Sequence, residues 1–177
     1  MRPNKPGVRG EARLAALLIL AAGGGGVALA AGIAGRIADP AQARSDYVEN
    51  CGGCHGIGGD SAPALLPALR DRIGYFLCTP EARAYLIRLP NVAHSRITDN
   101  AQLADLLNYV VFDLGGASAP GTAAPFTAAE VARERLQPLD GMPLTALRAR
   151  LVDQVIRACR APASLRRLYP TAGGKPA

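Results

Sequence analysis

The hydrophobic pattern opens with a nearly unbroken apolar run. Residues 13–35 read "RLAALLILAAGGGGVALAAGIAG", with Arg2, Lys5, Arg9 and Arg13 before or at its start. A basic head, an apolar middle and a small-residue end predict an export signal. "PAQA" (residues 40–43) offers Ala41-x-Ala43 as a cleavage site, which would start the mature chain at Arg44. The rival reading is an uncleaved membrane anchor: residues 14–34 number 21, and roughly 20 apolar residues span a bilayer. Gly23 to Gly26 lower helix propensity without forbidding insertion. Either reading places the remainder outside the cytoplasm, as a periplasmic protein that is soluble or tethered to the inner membrane by residues 14–34.

Beyond that run the pattern becomes helical and interrupted. Residues 44–51 predict a short helix with Tyr47, Val48 and Cys51 on one side. "GIGGDSAPALLPAL" is rich in Gly and Pro and predicts an irregular loop. "TPEARAYLIRL" opens with Thr79 as N-cap and Pro80 at the first helical position. Its apolar residues Ala82, Tyr85, Leu86 and Leu89 recur at helical spacing, and "PNVAHSRI" after it reads as a loop. The clearest helix is "TDNAQLADLLNYVVFDLGG", capped by Thr98 or Asp99 and ended by Gly115. Leu103, Leu106, Leu107, Val110 and Val111 make one apolar stripe along it. "GASAPGTAAP" (residues 116–125) is a linker by composition. "FTAAEVARERL" follows with a capping-box pattern at Thr127 and Glu130, and "LTALRARLVDQVIRAC" is a further helix. From Pro162 the chain reads as a loose tail. The predicted class is all-α, with residues 1–43 as signal or anchor, 44–116 as the main domain, and 117–177 as a linker and helical extension.

Charge refines this division. Residues 44–116 carry six arginines against eight acidic residues, a net −2, whereas residues 117–177 carry nine basic against four acidic, a net +5. No interleaving of basic and aromatic residues suggests nucleic acid, and an exported protein would rarely meet any, so none is expected as a partner. The chain lacks Trp and has only three Phe and five Tyr. A small core this poor in aromatics gains from a covalent staple or a large apolar cofactor.

The chemistry is concentrated in "NCGGCHGIGG". Cys51, Cys54 and His55 form C-x-x-C-H, the attachment signature of c-type haem. Two intervening residues let the thiols reach two adjacent vinyl groups of one porphyrin, and the next residue then lies under the ring where its imidazole meets the iron. Gly52 and Gly53 put no bulk against the macrocycle. Three other chemistries compete. A thioredoxin-like C-x-x-C needs a βαβ context. A structural zinc site needs four ligands, which this crowded trio cannot supply. A Cys51–Cys54 disulfide would close a strained small ring. Cys78 and Cys159 remain, and because free thiols are uncommon in oxidising compartments they predict a disulfide tying the extension to the body. Two buried reduced cysteines are the other possibility.

"YVENCGGCHG", the Gly/Pro loop and the helix "LADLLNYVV" together resemble the class I c-type cytochromes, over roughly residues 44–113. The resemblance implies a helical domain around one covalent haem c, with Cys51 and Cys54 as thioethers and His55 as proximal iron ligand. It implies that the first and last helices cross with Tyr47 and Tyr109 in contact. It implies one-electron transfer between redox partner proteins rather than enzymatic catalysis. "LPNVAHSRITDNAQLADLLNYV" and "FTAAEVARERLQPL" are also similar to small cytochromes that accompany periplasmic dehydrogenases. In that family a methionine before the last helix completes the iron. Here that loop holds His94, 39 residues after His55, and the one methionine beyond the apolar run, Met142, lies after the helix. His94 is therefore the expected distal ligand, with Met142 in "GMP" as the less favoured one. An open iron would make the protein a five-coordinate haem enzyme or small-ligand sensor instead. A supporting hydrogen bond from His55 to a carbonyl within residues 62–67 is expected. Arg157, Arg160, Arg166 and Arg167 could serve as a partner contact or simply as a solvated face.

Overall fold

Caps and prolines punctuate the chain, and the helices begin where they stand. The structure, a computed structural model, describes Met1 and residues 35–60 and 66–168. Helix α1 spans Pro40–Asn50, α2 Gly52–His55, α3 Pro80–Arg88, α4 Pro90–Ala93, α5 Asn100–Asn108, α6 Ala128–Glu134 and α7 Leu144–Cys159. Helix α5 runs on as a π-helical segment, Tyr109–Leu114, and 3-10 turns cover Ile73–Cys78, Gly116–Ser118 and Ala163–Arg166. The described residues contain no strand, so the chain is all-α there. Side-chain caps set the starts of α3, α5 and α6, as Asp39 does for α1. Thr79 Oγ1 accepts from the Ala82 amide, Asp99 Oδ1 from Ala101 and Gln102, and Thr127 Oγ1 from Glu130. Each cap of this kind stabilises by about 1 kcal/mol.

One hydrophobic core runs from Ile37 to Leu165. Leu103, Leu106, Leu107, Val110 and Val111 of the predicted stripe are all buried. Tyr47 of α1 is fully buried and meets Tyr109 with ring centroids 5.6 Å apart and planes tilted by 47°. Val48, expected on the same side, is more than a third exposed.

The first helix starts four residues earlier than its apolar pattern suggests. Asp39 caps it by accepting from the Gln42 amide, and Pro40 opens it. Ile37 is 2% exposed. The amides of Ala38 and Asp39 donate to the Asp105 carboxylate, and the Arg36 guanidinium lies over Phe112, 4.5 Å from its centroid. Cleavage after Ala43 would remove all of these contacts. The apolar segment at residues 14–34 lies outside the described residues, and among those described no helix is long and apolar enough to cross a membrane.

The C-terminal extension is bolted to the body. Val131, Leu151, Val152, Val155 and Leu165 are each at most 1% exposed in the common core. The stretch read as a linker is pinned through Ser118, whose hydroxyl accepts from the Gly74 amide and donates to the Gly115 carbonyl. Asn108, inside the apolar helix, exchanges two buried hydrogen bonds with the backbone of Phe126. Glu130 does not close a capping box; its carboxylate takes a two-pronged bond from Arg83 at 2.6 and 2.8 Å. Cys78 and Cys159 form a disulfide across 81 positions. The tail after Pro162 is ordered at least to Leu168, held by the 3-10 turn and by Leu165.

Candidate functional site

Cys51 ends α1, and its carbonyl accepts from the amides of both Cys54 and His55, so the motif folds as a single helical turn. Gly56 follows at φ +76°, a conformation that only glycine adopts without strain. That residue turns the chain out of the motif, and its carbonyl accepts the Tyr47 hydroxyl at 2.7 Å. Tyr47 thus packs α1 on Tyr109 and fixes the far end of the turn from Cys51 to Gly56. Sequence reading gave it only the first of these roles.

The two thiols are not joined: Cys54 is exposed and Cys51 half-buried. Burial, with a smaller contribution from Cys54, pushes the Cys51 thiol up to about 11. It stays protonated at neutral pH, unlike the activated thiolate of a redox C-x-x-C. A Cβ at Gly53 would meet nothing, and one at Gly52 would make only ordinary contacts, so packing within the protein does not demand glycine at either position.

His55 Nδ1 lies 3.1 Å from the carbonyl oxygen of Pro67. This places Nδ1–H as donor, fixes the ring and leaves Nε2 with the lone pair a metal needs. Among the described residues Nε2 makes no hydrogen bond. Burial lowers the affinity of this imidazole for a proton, and the Pro67 carbonyl only partly opposes that. Pro67 lies within the loop where the supporting carbonyl was expected; residues 61–65 lie outside the described residues. The loop returns under the motif because the Leu69 and Arg70 amides both donate to the Gly59 carbonyl, at 2.7 and 3.0 Å.

The structure does not turn either candidate distal ligand inward. His94 caps α4 at the surface, its side chain 59% exposed, and its Nε2 lies 2.8 Å from Asp140 Oδ2. Met142 is 50% exposed. The backbone around His94 is clamped from behind by Arg135, which donates to the carbonyls of Ala93, Ser95 and Ile97 and to Asn100 Oδ1. Nothing in the local pattern of "ARERL" marks this residue; the clamp joins positions 35 to 42 apart.

The donor set fits a covalently held tetrapyrrole: two unpaired thiols one helical turn apart, followed by an imidazole fixed through Nδ1 and free at Nε2. A cluster of three or more His, Cys, Asp or Glu suited to a metal ion is absent among the described residues. Comparison with protein-family models, with curated proteins and with solved structures finds no match.

Proposed function

We propose that the protein is a monohaem c-type cytochrome that carries single electrons between partner proteins outside the cytoplasm, a periplasmic dehydrogenase among them. The observation that carries this reading is His55. Its Nδ1 is anchored on Pro67 and, among the described residues, its Nε2 has no partner, next to two unjoined thiols three positions apart. Each thiol would add across one vinyl group, sulfur bonding one carbon and the proton passing to the other, with no net oxidation. Bound haem would supply an iron that cycles between ferric and ferrous states. The chain's own part is to hold the ring at two sulfurs, offer one imidazole from below and exclude water with the core around Tyr47, Leu69 and Phe76. Once the ring is attached, electron transfer asks no side chain to act as acid, base or nucleophile.

His94 is proposed as the sixth ligand. Its bond to Asp140 is a surface pair, and such pairs stabilise by only about 0–1 kcal/mol, so releasing the imidazole costs little. A side-chain rotation is required, because Arg135 holds the backbone. A second imidazole would lower the potential relative to methionine. The outward pose of His94 also favours a second reading, in which the sixth position is open and the protein binds small ligands or turns over peroxide. Carbon monoxide binding to the ferrous protein separates the two: slow, incomplete binding supports the carrier with His94 on iron, and rapid, complete binding supports the open site.

A further inference from the structure

The C-terminal segment folds back onto the loop that anchors His55. Helix α7 ends at Cys159, and Arg160, in the left-handed region at φ +53°, turns the chain back. Leu165, 1% exposed, seats the returning segment in the core. The Leu168 carbonyl then accepts from the amide of Ala68 at 2.9 Å. Ala68 directly follows Pro67, whose carbonyl faces Nδ1 of His55. Arg72, farther along the same loop, closes the contact: its Nη2 donates to the carbonyls of Ser164 and Arg167 at 3.0 and 2.6 Å. Arg148 of α7 donates to the Leu165 carbonyl between them. Among the described residues neither arginine forms a salt bridge. Arg72 Nε is buried without a hydrogen-bond partner, and Asp71 beside it also lies in the left-handed region, at φ +54°. An unmade buried donor and left-handed residues other than glycine are costly, and such strain persists only where the surrounding contacts fix it. The two left-handed residues stand on either side of one contact, between the segment and the Pro67 loop.

We infer that residues 162–168 form a strap, buckled by Arg72, that sets the place of the Pro67 carbonyl and so the strength of the hydrogen bond it takes from His55 Nδ1–H. Arg72 is then a positioning residue, and it acts on the imidazole through the backbone of residues 67 and 68. The consequence for iron rests on the haem reading above. An imidazole that donates Nδ1–H strongly is the more basic ligand at Nε2, and a more basic ligand favours ferric iron. Loosening the strap therefore raises the potential. Loss of positive charge near the ring acts in the opposite direction, so the sign separates the two effects.

The test compares the full-length holoprotein with Arg72→Leu, with Arg72→Lys, and with a chain that ends at Ala161. Arg166→Gln/Arg167→Gln is the charge control, since both side chains are exposed and the strap carbonyls belong to the backbone. The expected result is covalent haem in all of them. Followed by NMR in the ferrous protein, the His55 Nδ1 proton and the Ala68 amide exchange with solvent several-fold faster in Arg72→Leu and in the shortened chain. Arg72→Lys, which keeps the charge and a donor, restores most of that protection. At a fixed applied potential the ferrous-to-ferric ratio is several-fold higher in the shortened chain than in the charge control, where tenfold corresponds to ~59 mV. Faster exchange at Ala68 with an unchanged His55 proton and an unchanged ratio would make the strap a purely structural brace and overturns the inference. Wild-type exchange in Arg72→Leu overturns it as well. If the shortened chain fails to fold, Arg72→Leu and its lysine rescue decide by exchange alone. A wild-type protein without covalent haem overturns this inference together with the reading beneath it, which distinguishes that failure from the others.

Discussion

His55 commits Nδ1 to the Pro67 carbonyl and, among the described residues, leaves Nε2 without a partner; the turn around it holds that arrangement. The Gly56 turn, the Tyr47 hydroxyl and the Pro67 carbonyl all act on a stretch of six residues. This part of the site was legible in the sequence because its chemistry is contiguous: spacing alone brings two thiols and an imidazole to one helical turn. His94 was legible only as a residue in the expected loop. Which way it points depends on Asp140, 46 positions later, and that partner is invisible to local pattern. Replacing His94 by Ala should make carbon monoxide binding to the ferrous protein faster and more complete, whereas Asp140→Asn should leave it slow. If the wild type already binds rapidly and His94→Ala changes nothing, His94 is not on the iron. Asn108 carries a different expectation. It satisfies a buried backbone N–H and C=O at Phe126, and stranding both should cost about 2–4 kcal/mol in Asn108→Leu, read by denaturant unfolding. From the sequence Asn108 is only a polar break in an apolar stripe, because its partner lies across the segment taken for a linker.

At the scale of elements, α1 depends on residues that precede its hydrophobic pattern. Burying Ile37 contributes about 1.5–3 kcal/mol, and the Asp39 cap about 1 kcal/mol. A chain beginning at Arg44 should therefore unfold at markedly lower denaturant than one beginning at Gly35. Equal midpoints would show that residues 35–43 are dispensable and that processing at Ala43 is harmless. The Arg-rich face of α6 supplies a pH-dependent bolt. Burial raises the pKa of Glu134, but hydrogen bonds and charge from Arg88 and Arg133 outweigh it and hold the carboxyl below its ordinary value. A carboxylate whose pKa is depressed by folding contributes stability above its unfolded pKa, and that stability is lost as pH falls through the folded value. Glu134→Gln should accordingly lower stability near neutrality and flatten its decline below about pH 4.5. A variant with an acid limb as steep as the wild type would place the coupling elsewhere. Helix caps at Thr79, Asp99 and Thr127 were readable because each acts within three residues. The clamp by Arg135 and the pair Arg83–Glu130 were not, since both join α6 to elements some forty positions away.

On the scale of the whole molecule, the helical extension shares one core with the rest of the described chain. Val131, Leu151, Val152, Val155 and Leu165 are as buried as the helix stripe, and the periodic pattern announced helices without saying what they cover. The Cys78–Cys159 bond closes a loop of 81 positions, which the chain-entropy model values at about 4 kcal/mol. Reduction, or the double variant Cys78→Ser/Cys159→Ser, should lower stability by roughly that amount without releasing the pigment, since thioethers do not reduce. Colour lost together with the disulfide would mean that the haem is not held through Cys51 and Cys54. Everything proposed for this protein depends on those two sulfurs. The purified chain, unfolded in acidified acetone and weighed by mass spectrometry, should keep its colour and exceed the mass of its own residues by one haem. A colourless chain at the mass of its residues alone would contradict the account.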